Sequence, residues 1–270
     1  MKRFIAVISF ALVSLLTIVS FTACSGNFRF LKDSEVKDLP NPTGKIYICV
    51  YNDETGETLV EDQVFGFELF YKEAPNTVSS FIKLVNDKYY DGLSFDLASN
   101  NQPFVIFGQN EFYKDDQTND KGVVTSTSYY EKLVDSTFHI IGEFSDNGWN
   151  KNTSTAGVGS MMMSLNSTFT TSATKKSDYN TAYAPFIIQY DANSTRVAYE
   201  KYNCVFGKII SLPNGAYSSS GLHGELVDNL FTNSEYSSSY STENRIKFMI
   251  TKIEMDDNGK TYPAPLRVKV

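Results

Sequence analysis

From Gly44 onward, short apolar runs alternate with polar turns. Lys45–Tyr51 is rich in strand-forming residues and predicts a first strand, with a turn at Asn52-Asp53-Glu54-Thr55-Gly56. Val64–Tyr71 predicts a second, since Phe65, Phe67 and Leu69 alternate against Gly66 and Glu68. Ala74-Pro75-Asn76-Thr77 then opens a helix, with Val78, Phe81, Ile82, Leu84 and Val85 at helical spacing to about Asn86. Tyr89-Tyr90-Asp91-Gly92-Leu93-Ser94-Phe95 predicts a turn into a strand, and Pro103–Phe107 another strand. Glu111–Thr137 is polar and weakly patterned, which predicts a long inserted loop. Strands are expected again within Val158–Met163, Phe186–Gln189 and Cys204–Ile210, a short helix at Leu226–Phe231, and a closing strand at Arg245–Glu254. Ser- and Thr-rich stretches at Ser167–Ser177, Ser218–Ser220 and Ser234–Thr242 read as solvated loops. Many short strands with two helices imply a mainly β domain, a closed barrel capped by helices. The opening and closing strands should share a sheet, because a closed barrel leaves no free edge.

The start of the chain reads differently. Met1-Lys2-Arg3 is basic, and Phe4–Ala23 is almost wholly apolar and uncharged, like the successive parts of an export signal. The small residues before Cys24 resemble a bacterial lipoprotein lipobox, with Phe21 standing where Leu is usual. That resemblance implies lipidation of Cys24. The alternative is an uncleaved anchor helix with an incidental cysteine. Either way the remainder is expected on the extracytoplasmic face of a membrane. The expected organisation is a signal peptide over residues 1–23, a polar spacer over 24–43, one domain over 44–256 and a tail over 257–270.

Charge narrows the partners. The chain carries 24 Lys and Arg against 31 Asp and Glu. Loss of Lys2 and Arg3 with the leader makes the remainder more acidic still. Nucleic-acid affinity comes mostly from basic side chains on phosphates, so nucleic acid is excluded as an expected partner. The domain's two cysteines, Cys49 and Cys204, sit in apolar runs, and buried free thiols are the favoured reading over a disulfide. Neither His139 nor His223 is near them in sequence, so neither a Cys–His nucleophile nor a zinc-site spacing exists. No cofactor or metal is expected.

Several segments then line up in one order. Phe67-Glu68-Leu69-Phe70 with Ala74-Pro75-Asn76-Thr77-Val78 and Phe81 resembles the second strand and first helix of a cyclophilin. Tyr89–Phe95 resembles the loop and strand that follow. Gly142-Glu143-Phe144-Ser145-Asp146-Asn147-Gly148 is similar to a segment of bacterial cyclophilins, and Val205-Phe206-Gly207-Lys208-Ile209 with Val227-Asp228 is similar to the far strand and its helix. The resemblance covers about Gly44–Asp256. It implies an eight-stranded antiparallel barrel capped by two helices, with polar loop insertions, and peptidyl-prolyl isomerase ancestry.

The same resemblance questions the chemistry. In this family an arginine donates to the prolyl amide, and it follows a Phe-His pair. Here Phe95 matches, Asp96 replaces the histidine, and Leu97 occupies the arginine position. Phe107 stands for a glutamine and Pro185 for another polar residue, while Met162 replaces a small residue. Tyr199 and Asn203 occupy apolar and histidine positions. Expected peptide-binding residues are therefore Phe104, Val105, Met162, Ile187, Tyr199 and Asn203, with no catalytic residue assigned. For Phe104 and Tyr199, core packing and pocket lining stand equal; for Met161 and Phe186, core packing is favoured. Arg196 lies near a pocket segment, beside Ala198, but solvated surface is its favoured reading. The implied function is engagement of proline-containing segments of exported polypeptides, with weak or lost catalysis. The alternative is a surface lipoprotein that binds a partner protein through its inserted loops.

Overall fold

The computed structural model describes residues 29–52, 57–97, 103–118, 124–133, 138–165, 179–192, 199–231 and 246–269. The leader, Cys24, the predicted turn at 53–56, Arg196, Ala198, Arg245 and the Ser/Thr stretches at 167–177 and 234–242 lie outside the described residues. The strands, in chain order, are β1 (Thr43–Asn52), β2 (Glu57–Leu69), β3 (Leu93–Leu97), β4 (Phe104–Thr118), β5 (Val124–Leu133), β6 (Phe138–His139), β7 (Ser160–Met163), β8 (Phe186–Gln189), β9 (Val205–Leu212), β10 (Gly215–Ala216), β11 (Ile246–Asp256) and β12 (Val268–Lys269). Eight of them close a barrel in the order β9-β2-β1-β11-β3-β4-β8-β7, with β7 pairing back to β9. All of its pairings are antiparallel. The opening and closing strands are direct neighbours, β1 on β11 from Thr43↔Asp256 to Asn52↔Ile246, as edge closure requires.

Glu111–Thr137 departs from its expected loop. Most of it continues β4 and forms β5, paired from Asn110↔Leu133 to Thr118↔Val124. Its ladder is made by backbone groups, so it leaves no apolar alternation in the sequence to read. At the point of departure three residues, 108–110, oppose the single Ser94. Gly108 sits in this bulge at φ +72°, and a Cβ there would lie 2.9 Å from the Tyr90 ring, so glycine is required twice over.

Helix α1 (Pro75–Asn86) buries Val78, Phe81, Ile82, Leu84 and Val85. Phe81 packs against Phe67, Tyr90, Phe186 and Phe206, with ring centroids 5.3–5.8 Å apart. Burying one such side chain stabilises by about 1.5–3 kcal/mol. A second helix, α2 (Ser219–His223), continues as a π-helical stretch over Gly224–Phe231. It sets Phe231 against a different pair, Phe95 and Phe248. Ser218 caps this helix by accepting from Gly221 N at 3.1 Å, so part of an expected solvated loop is a helix start.

Both flanks of the barrel segment are packed. Leu31 is buried, and Asn41 donates to Glu68 and accepts from Tyr71 N. Past Asp256, Tyr262 stacks edge-on with Tyr71 at 4.9 Å, Asn76 exchanges two hydrogen bonds with the Leu266 backbone, and β12 pairs β6. Cys49 and Cys204 are free and buried. Among the described residues no helix is long and apolar enough to cross a membrane.

Candidate functional site

Alternation along four adjacent strands separates two apolar faces. Val105, Phe107, Met161, Met163, Phe186, Ile188 and Phe206 point into the barrel core. Phe104, Ile106, Met162, Ile187 and Val205 point the other way and form a second cluster with Tyr199. Its backbone register is a cross-strand row, Val205↔Met162↔Ile187↔Ile106, with Asp96 opposite Ile106 at one end. Beside this row Phe104 faces Gln189 across β4 and β8. Tyr199 arrives from a one-turn 3-10 helix, Tyr199–Lys201, and places its ring edge-on to Phe104 at 4.7 Å. Phe70 and Ala156 border the cluster.

Four of the six expected residues, Phe104, Met162, Ile187 and Tyr199, are thus brought together. Val105 is not: it alternates with Phe104 and turns into the core. Asn203 lies next to the cluster, buried, with its amide donating to Tyr199 O at 3.3 Å. Leu97 is half-buried and packs against the barrel core. Phe107, expected on the groove wall, is stacked inside between Phe95 and Phe186, at 5.5 and 5.1 Å. The period-2 geometry of β4 forces both corrections, since only every second residue reaches the outer face. Ile106 was missed from the sequence, although its spacing of two from Phe104 carries that signal. Val205 and Gln189 were missed because their roles depend on which strands are neighbours.

The floor is covered. Phe104, Met162 and Ile187 have no exposed surface and Tyr199 is 7% exposed. Burial raises the phenol pKa of Tyr199. The loop bordering the cluster is stitched down: Thr153 N, Ser154 N and Ser154 Oγ all donate to Glu73 Oε2, and Ala156 N donates to Glu200. Asn152 ties it to the backbone of Glu143 and Val205.

Through Asn152 this loop adjoins a buried polar group. Glu143 is fully buried and accepts from Asn76 N at 3.0 Å and Thr77 N at 2.8 Å, the opening amides of α1. Burial pushes its carboxyl up to about 7, against the pull of those two donors. Cys204 beside it donates to Thr77 Oγ1 at 3.4 Å, and burial holds its thiol far above the usual range. Such a thiol is no nucleophile at neutral pH.

No guanidinium reaches the cluster among the described residues; the nearby cation is Lys208, whose ammonium lies 5.8 Å from the ring of the bordering Phe70 and pairs with Glu68 at 3.4 Å. Arg29 is paired with Glu35 at 2.6 and 2.7 Å. Arg267 lies over the Phe138 ring and donates to Ser80. Among the described residues no group of three or more His, Cys, Asp or Glu could hold a metal ion. The described residues thus supply a covered apolar cluster with two rings, Phe104 and Tyr199, and no guanidinium donor.

A curated relative, peptidyl-prolyl cis-trans isomerase B of Bacillus subtilis (strain 168), is 49% identical over 43 residues, 16% of this chain. The match spans about 30% of that relative's length. Among solved structures, the Mimivirus cyclophilin has a TM-score of 0.40 at 15% identity, covering 83% of this chain and 97% of that one. A cyclophilin type peptidyl-prolyl cis-trans isomerase of Cryptosporidium parvum has a TM-score of 0.36 at 14% identity, covering 79% and 98%. The family model described as cyclophilin type peptidyl-prolyl cis-trans isomerase/CLD matches residues 57–215. That span runs from β2 to β10 and holds every residue of the outer cluster, so the chain belongs to the cyclophilin-type peptidyl-prolyl cis-trans isomerase family.

Proposed function

We propose that this is a membrane-anchored, extracytoplasmic cyclophilin that engages proline-containing segments of exported polypeptides and has little or no isomerase activity. One observation carries the reading. The outer apolar cluster is built from Phe104, Met162, Ile187 and Tyr199, while the described guanidinium groups are engaged elsewhere. An apolar ring fits such a floor, and a twisting amide finds no donor on it. Titrating the full chain in detergent with a short Ala-Ala-Pro-Ala peptide tests the binding; an absence of binding at millimolar peptide would reject it.

The complete burial of that floor favours a second reading, in which a partner protein binds elsewhere, on the inserted β4–β5 hairpin. Deleting the hairpin separates the two: peptide binding survives on the first reading, and partner binding is lost on the second.

Leu97→Arg is expected to restore less than tenfold of activity. Leu97 packs against the barrel core, on the side opposite the cluster, so a guanidinium there has no direct line to the floor. A variant with kcat/KM near that of an arginine-bearing relative would reverse this.

For the anchor, the apolar run to Ala23 followed by Cys24 is the motivation. Cys24→Ala is expected to leave the precursor uncleaved or to release the protein, read by mass and by membrane fractionation. Unchanged processing and unchanged retention would support a plain anchor helix.

A further inference from the structure

Gln189 closes β8 on the same outer face as Ile187 and stands directly opposite Phe104. It is 3% exposed. Its Nε2 donates to Asp191 O at 2.9 Å, which fixes the orientation of the amide, because a carbonyl oxygen there would face another carbonyl. The other end, Oε1, is buried and has no hydrogen-bond partner among the described residues. Its backbone is committed too: Gly159 N donates to Gln189 O at 2.7 Å. A buried acceptor without a donor is rare, since its lost hydration goes uncompensated. Here that residue stands across the strand pair from Phe104, on whose ring a prolyl side chain would rest.

We infer that Gln189 is a peptide-binding residue, whose Oε1 accepts a backbone N–H of an extended proline-containing segment while the apolar ring of that segment lies on Phe104. The inference rests on the proposed reading of the cluster as a peptide site. Proline has no N–H of its own, so the donor is the amide of a neighbouring residue. The Tyr199 ring must leave Phe104 for the segment to enter. Gln189 is an acceptor and does not replace the missing arginine. It adds register and orientation, not rate.

The test is an N-methyl scan. Full-length protein in detergent micelles is titrated with Ala-Ala-Pro-Ala and with analogues methylated at each backbone N–H in turn. One analogue is expected to bind roughly five- to tenfold more weakly, the loss of one hydrogen bond. Gln189→Met should weaken the parent peptide by the same factor and erase the effect of that methylation. Gln189→Glu, which keeps an acceptor, should retain the effect. Equal sensitivity to methylation in the wild type and the Met variant overturns the inference, as does a scan in which no amide matters. If the wild type binds no form of the peptide, the peptide-site reading falls first and takes this inference with it. If the wild type binds but Gln189→Met does so unchanged, only the role of Gln189 falls.

Discussion

On a short X-Pro peptide, this protein is expected to show a kcat/KM at least about a hundredfold below that of an arginine-bearing cyclophilin. The X-Pro bond rotates over a barrier of ~18–20 kcal/mol set by amide resonance. Lowering it calls for a donor placed to favour the twisted amide, and removal of one such donor typically costs ~2.7–4 kcal/mol, about a hundred- to a thousandfold in rate. At the family's arginine position Leu97 supplies no donor and faces the core. Around the floor the described polar groups are engaged: Asp96 accepts from Leu97 N at 2.6 Å, the donor end of Gln189 goes to Asp191 O, the Asn203 amide donates to Tyr199 O, and Lys208 by the bordering Phe70 pairs with Glu68. What remains is desolvation by an apolar floor, a weak source of rate. The assay is run on the full chain beside a cyclophilin control. Activity near the control would show that a donor outside the described residues, Arg196 foremost, has taken over.

The second large effect concerns stability. Replacing Glu143 by Ala is expected to destabilise the fold by about 2–5 kcal/mol. Helix α1 begins at Ala74-Pro75, where no side chain caps it. Glu143 takes the amides of Asn76 and Thr77 in the cap's place, and each buried amide left without an acceptor costs about 1–3 kcal/mol. A fall in the urea midpoint at constant slope reads this out. A loss under 1 kcal/mol would mean that water reaches the helix start. The same residue gives a pH dependence of definite sign. Its folded pKa of about 7 lies above the unfolded value of 4.5. The folded state therefore holds a proton that the unfolded state has released. Stability from this group is full below pH 4.5 and is lost as pH rises through 7, by roughly 3 kcal/mol in all. Urea midpoints at pH 5 and pH 8 should differ in the wild type and much less in Glu143→Gln. Equal differences in the two proteins would place the titration elsewhere.

Where a face was buried against something along most of its length, the sequence made it legible. Phe65, Phe67 and Leu69 read as one face of a strand, Val78, Phe81, Ile82, Leu84 and Val85 as one face of a helix, and both are so. The β4–β5 hairpin was not legible, because backbone pairing places no demand on the apolar pattern. Within the site, residue types were legible and directions were not. Phe104 and Val105 are equally apolar, and only the pleat of β4, fixed by its pairing Phe95↔Phe107, decides which of them faces out.

Short-range physics was therefore enough to determine the strands and helices that bury an apolar face, the buried thiols and the absence of a donor at Leu97. Each of these depends on a residue and its near neighbours along the chain. Tertiary structure alone decided that Tyr199 covers Phe104, that Glu143 caps a helix by taking an amide 67 residues earlier, and that Gln189, opposite Phe104, keeps a buried oxygen with no donor among the described residues. These are contacts between segments far apart in sequence. Their geometry follows from barrel closure and strand register, and no local pattern of apolar and polar residues encodes it.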